Sequence, residues 1–138
     1  MNYLLDTNAI SELKRPKPNE NVTVWFSKVK KENLYLSVLT LGEIRKGVDK
    51  LADGEKKQKL SIWLEKEIPA WFGERLLTID AEVADYWGKL QAQSKNPLPA
   101  IDSLLAATAL AHNLSLVTRN VGDFRPMGVP IINPWEEF

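Results

Sequence analysis

Short apolar segments alternating with amphipathic helices predict an α/β fold, a three-layer α/β/α sandwich whose central, mainly parallel sheet is covered by helices on both faces. The prediction rests on brief apolar runs of strand length, on helical spacing of the apolar residues between them, and on turn residues where the two patterns meet. No internal repeat or low-complexity segment interrupts this order, so residues 1–138 are expected to form a single domain.

The first run, Tyr3 to Asp6, reads as a strand ending in a carboxylate. Ala9 to Lys14 carries helix formers up to the breakers Pro16 and Pro18. Val22 to Lys31 places Val22, Trp25, Phe26 and Val29 on one helical face, and Leu34 to Val38 is the next strand. Thr40 then opens a helix with Leu41, Ile44, Val48 and Leu51 at helical spacing, closed by the turn Asp53-Gly54. The segment from Glu55 to Phe72 carries Leu60, Trp63, Leu64 and Trp71, is broken near Pro69, and reads as the antiparallel neighbour of that helix. Leu76 to Ile79 is a strand, and Asp80 caps a helix reaching Ser94. Asn96-Pro97-Leu98-Pro99 forms a hinge into a helix over Ala100 to His112, and Leu114 to Thr118 and Val129 to Ile132 supply the last strands.

Composition narrows the function classes. With 138 residues the chain buries a core without disulfides, and its 44% apolar and 26% charged residues are globular proportions that argue against disorder. No apolar run approaches the length of a membrane span, and the N-terminus does not read as a secretory signal, so a cytoplasmic protein with no membrane partner is expected. The absence of cysteine excludes thiolate nucleophiles and Cys-ligated metals. Eighteen basic residues balance eighteen acidic ones, so any nucleic-acid surface must be local. Basic clusters occur at Lys14, Arg15 and Lys17, at Lys28, Lys30 and Lys31, and at Arg45, Lys46 and Lys50, each also readable as a solvated face.

Four acids stand out. Asp6 ends the first strand, where a parallel sheet gathers its ligands; it could instead cap the following helix, although Asn8 could cap equally well. Glu43 completes the formal capping box Thr40-Leu41-Gly42-Glu43, yet lies on the flank of the apolar face, from which it could point to a cleft. Asp102 sits in a helix apolar nearly all round, so it is expected to be largely buried and to need a cation or donors; a helix-dipole contact is the alternative. Asp123 follows a strand in Thr118-Arg119-Asn120-Val121-Gly122-Asp123, where a polar turn is expected in any case. Four oxygen donors with no Cys suit Mg²⁺, or Mn²⁺, rather than zinc. The lone histidine, His112, is explained by a helix C-terminus.

With these residues in place the chain resembles the PIN-domain nucleases, and among them the VapC-type toxins of type II toxin-antitoxin modules. The likeness spans nearly the full length and rests on Leu4-Leu5-Asp6-Thr7-Asn8, Gly42-Glu43-Ile44 with Arg45 and Gly47, Asp102 to Ala109, Leu116 to Phe124, and Ile131-Ile132-Asn133-Pro134-Trp135. The resemblance implies that Asp6, Glu43, Asp102 and Asp123 bind the metal and carry catalysis, with Thr7 and Asn120 as polar neighbours that orient them or a water. It also implies RNA cleavage, a homodimer, and inhibition by a cognate antitoxin. Arg45, Lys46 and Arg119 are candidate phosphate contacts, each equally readable as a surface ion pair. A catalytically inactive PIN-like module that binds RNA or protein is the alternative, and an acid-dependent phosphatase a further one that lacks its Asp-x-Asp start because Asn8 stands there. The tryptophans Trp25, Trp63, Trp71 and Trp87 are read as core, or as surfaces for bases or an antitoxin helix.

Overall fold

A computed structural model describes residues 1–136. Five strands form one sheet: β1 (Tyr3–Leu5), β2 (Leu34–Ser37), β3 (Leu76–Leu77), β4 (Ser115–Val117) and β5 (Ile131–Ile132). Their order is β3-β2-β1-β4-β5 and every pairing is parallel, with Tyr3 opposite Leu34 on one side and Ser115 on the other. The chain builds outward from β1 through β2 and β3, then crosses to the other side for β4 and β5. That reversal sits between β1 and β4, where an open α/β sheet leaves a crevice beyond its carboxyl ends.

Eight α-helices are described: α1 (Thr7–Glu12), α2 (Glu20–Lys28), α3 (Val38–Asp49), α4 (Glu55–Ile62), α5 (Ile68–Phe72), α6 (Ala81–Gln93), α7 (Ala100–Ala111) and α8 (Val121–Phe124). Successive residues of a strand face opposite sides, so each strand feeds both cores. Leu4 and Leu116 join Val83, Leu90, Leu105 and Phe124 on one face; Leu5 and Val117 join Ile10, Ile44, Val48 and Phe72 on the other. Leu4 and Leu5 are both fully buried, each contributing about 1.5–3 kcal/mol of transfer free energy. This is the predicted three-layer sandwich, with the mainly parallel sheet parallel throughout.

Several boundaries moved for identifiable reasons. The helix expected to open at Thr40 starts two residues earlier, because Ser37 caps it by accepting from the Leu39 N–H at 3.1 Å. Thr40 is therefore buried inside α3 and the Thr40–Glu43 capping box does not form. The break near Pro69 is a π turn over Trp63–Glu67, immediately before α5. Proline has no N–H and its ring crowds the carbonyl four residues back, so the helix widens rather than ends. Beyond α8 the chain turns through Gly128 at φ 70°, a left-handed conformation that favours glycine, and enters β5. Among the described residues no helix is long and apolar enough to cross a membrane.

Candidate active site

Asp6 stands immediately past β1, only 7% exposed. Its backbone N–H still donates to Val117 O of β4 at 2.9 Å, so the end of the sheet itself holds it. One carboxylate oxygen accepts from the Thr7 N–H at 2.7 Å, which makes Asp6, not Asn8, the N-cap of α1. The other accepts from the Thr118 hydroxyl at 2.8 Å. Capping and site geometry coexist in one side chain.

Thr118 follows β4 and is fully buried. Its hydroxyl oxygen also accepts from the Asn120 N–H at 3.0 Å, and the Asn8 side-chain amide lies 3.4 Å away. Asn8 in turn accepts from the Arg119 N–H at 3.4 Å, so the exits of β1 and β4 are laced together by polar side chains. The sequence places Thr118 with Asn120 and Asp123 at the sheet edge but assigns it no role; its signal was a polar residue ending an apolar strand. Asn120 enters through its backbone, as the N-cap residue of α8, while its side chain makes no cap hydrogen bond.

Glu43 lies exposed in the second turn of α3, released from the capping box that does not form. Its carboxylate accepts the Thr7 hydroxyl at 2.6 Å, which binds α3 to the turn carrying Asp6. Asp102 occupies the first turn of α7 and is half-buried, less buried than its apolar helix suggested. The buried surface of α7 begins at the next residue, Ser103, while Ile101 remains 42% exposed. Asp123 is exposed and sits in the short helix α8, not in a turn; the neighbouring Phe124 anchors that helix in the core.

The four acids share one electrostatic field. Burial raises the Asp6 carboxyl above its ordinary value; Thr118 and Thr7 oppose this, and the charges of Glu43 and Asp102 add to it. Asp102 is raised by burial first, then by Asp123 and Glu43. Residues from four separate stretches of chain thus converge at the carboxyl edge of the sheet. Among the described residues no three of these side chains are gathered into a ready-made ligand cluster. Glu43 is turned to Thr7. The donor set nonetheless fits a hard divalent cation, whose charge would offset the burial and, after it, the repulsion that raise Asp6 and Asp102.

The candidate phosphate contacts are less uniform. Arg45 is held in ion pairs with Asp49 at 3.2 Å and Glu65 at 2.7 Å, its surface-pair reading. The Arg119 guanidinium lies over the Trp135 ring at 5.6 Å, and Lys46 stands exposed on α3. A groove leads away from Thr7 and Glu43 over Ile44, Val48 and Leu60 to Trp63, and Lys14 lies over the Trp63 ring at 5.4 Å. Trp71 lines its continuation. Trp25 packs edge-on against Tyr3 and Phe26, whereas Trp87 turns inward and donates to Ser103.

Comparison with known proteins agrees with this geometry. The sequence pattern of the PIN domain matches residues 3–127. The chain is 40% identical over 137 residues to Toxin FitB of Neisseria gonorrhoeae, covering 97% of this chain and 99% of that protein. It is 36% identical over 136 residues to the VapC ribonuclease Y4jK of Sinorhizobium fredii, covering 96% and 97%. The crystal structure of FitAcB from Neisseria gonorrhoeae superposes with a TM-score of 0.91 at 40% identity, covering 98% of this chain and 99% of the other. A toxin-antitoxin complex from Klebsiella pneumoniae superposes with a TM-score of 0.68 at 25% identity, covering 98% and 99%.

Proposed function

The chain belongs to the PIN-domain family, and from that premise we propose that it is a metal-dependent endoribonuclease, the toxin of a toxin-antitoxin pair. It matches proteins named as a toxin and as a ribonuclease over nearly their whole length. The observation that carries the reading is the convergence of Asp6, Glu43, Asp102 and Asp123, distant in sequence, at the carboxyl edge of the sheet, where Glu43 and Asp102 act on Asp6, and Asp123 and Glu43 on Asp102.

In this reading the four carboxylates hold Mg²⁺, with Mn²⁺ able to replace it, and the whole chain acts as one domain. A divalent ion so bound supplies a water of lowered pKa and charge stabilisation at the scissile phosphate and its leaving oxygen. The protein's own contribution is placement. Thr118 and the Thr7 N–H occupy one lone pair on each Asp6 oxygen, fixing the carboxylate plane while leaving the remaining lone pairs for a cation. The Thr7 hydroxyl orients Glu43 in the same way. Lys46 and Arg119 are available to phosphate at the rim, and Arg45 would have to leave its ion pairs.

A cognate antitoxin and a homodimer complete the proposal. The toxin-antitoxin complex among the structural neighbours and the name of Toxin FitB, 40% identical to this chain, support the first. The apolar groove from Glu43 to Trp71, between α1 and the α3–α5 hairpin, offers a surface on which such a partner would cover the acids.

The test is cleavage of an RNA pool with Mg²⁺ or Mn²⁺ by the wild type and by Asp6→Asn. Cleavage that needs the metal and disappears in the variant is expected. A clean Asp6→Asn preparation that still cuts would refute the mechanism, and a wild type that binds RNA without cutting would favour the catalytically inactive module.

A further inference from the structure

Asp102 is supported differently from its neighbours. Asp6 accepts two hydrogen bonds and Glu43 one, whereas no donor to the Asp102 carboxylate occurs among the described residues. Asp123 and Glu43 meanwhile repel it. Its position therefore depends on the backbone of the first turn of α7. That turn has an unpromising start: the N-cap residue is Pro99, which offers no side-chain acceptor, and it follows a segment with two prolines.

The missing support comes from α6. Ser103, fully buried and adjacent to Asp102, donates its hydroxyl proton to Pro99 O at 2.6 Å. Its oxygen accepts from Trp87 Nε1 at 2.9 Å and from Gln91 Nε2 at 3.3 Å. Gln91 also clasps the backbone of Leu98, donating to its carbonyl at 3.1 Å while its Oε1 accepts the Leu98 N–H at 2.9 Å. The network is complete, with one donation and two acceptances at Ser103 and both sides of the Gln91 amide engaged. The amide has one workable orientation, since a flip would set its NH₂ against the Leu98 N–H. These groups face α6 and the 94–99 segment.

We propose that Trp87 and Gln91 are positioning residues for the acid site: through Ser103 and Leu98 they clamp the first turn of α7 and so hold Asp102 against its acidic neighbours. The inference rests on the reading of Asp102 as a metal ligand. Loss of the clamp lets the turn relax away from Asp123 and Glu43, which separates the carboxylates that a cation must bring together.

Mn²⁺ binding by titration calorimetry, run on the full chain well below each melting midpoint, tests this. The variants are Gln91→Met, Trp87→Phe, Asp102→Asn and, as a matched core control in the same helix, Leu90→Val. Gln91→Met and Trp87→Phe are expected to weaken Mn²⁺ binding about tenfold, the lower end of losses seen when groups behind metal ligands are removed. Leu90→Val is expected to lower the melting midpoint and leave Mn²⁺ affinity unchanged. Trp87→Phe removes the indole N–H while keeping an aromatic ring in the core, and keeps the test open if Gln91→Met does not fold. Wild-type affinity in the folded clamp variants, or an equal loss in Leu90→Val, overturns the clamp. Wild-type affinity in Asp102→Asn overturns the ligand assignment beneath it.

Discussion

Replacing Thr118 by Val preserves the shape of a fully buried side chain and deletes one hydroxyl. That hydroxyl donates to an Asp6 oxygen at 2.8 Å and accepts the Asn120 N–H at 3.0 Å. A hydrogen bond to a charged group contributes about 1.5–3 kcal/mol. The Asn120 N–H belongs to an exposed residue, where water can replace part of its lost partner, so the total loss at neutral pH is about 2–3 kcal/mol. The loss should depend on pH with a definite sign. Burial already raises folded Asp6 above its ordinary 3.8, so this group stabilises the metal-free fold below 3.8 and that stability is lost as pH rises through the folded value. Thr118 lowers the folded value; without it the value rises further, and the gap between wild type and variant widens with pH. Below 3.8 the carboxyl is neutral in both states, and the gap should shrink to roughly 1 kcal/mol, that of an uncharged hydrogen bond. Urea unfolding of the metal-free proteins at pH 7 and below 3.8 measures both. An equal gap at the two pH values, or a gap under about 0.5 kcal/mol at pH 7, would refute the role given to this bond.

Metal binding and the groove each give a measurable outcome. Because Asp6 and Asp102 are both raised by burial and by neighbouring acids, Mg²⁺ or Mn²⁺ should raise the melting midpoint at pH 7 and lose that effect as the acids protonate; Asp102→Asn should match or exceed the wild type's metal-free stability at pH 7 while losing the metal-induced gain. Trp63→Ala, at the far end of the groove from Glu43, should leave metal-dependent cleavage intact and weaken inhibition by the co-expressed antitoxin, read as residual cleavage in the purified complex; unchanged inhibition would remove the groove from the partner surface.

Much of the architecture was legible because local chemistry and fold agree. Asp80 caps α6 by accepting the Val83 N–H at 3.0 Å, as its position before an amphipathic run implied. The misreadings arose where two local signals competed. Ser37 and Thr40 both offered a cap, and Ser37 won because β2 ends there and passes directly into α3. Asp102 was expected to be buried because its helix is apolar, yet the first turn of α7 projects past the core, and only from Ser103 onward does the helix face inward. Asp6, which looked dispensable as a cap, is both the cap and the most buried of the four acids.

The sequence by itself determined the α/β class and the order of the elements, because periodicity, caps and turn residues are local properties, and it singled out the four acids as candidates whose joint role came from the resemblance to the PIN-domain nucleases. Only the tertiary structure decided that those acids share one field, that Thr118 holds Asp6, and that α6 hydrogen-bonds Ser103 beside Asp102. Each joins residues far apart in the chain, and their meeting is set by the parallel register of β1, β2 and β4 and by the packing of α6 on α7. No local pattern encodes either one.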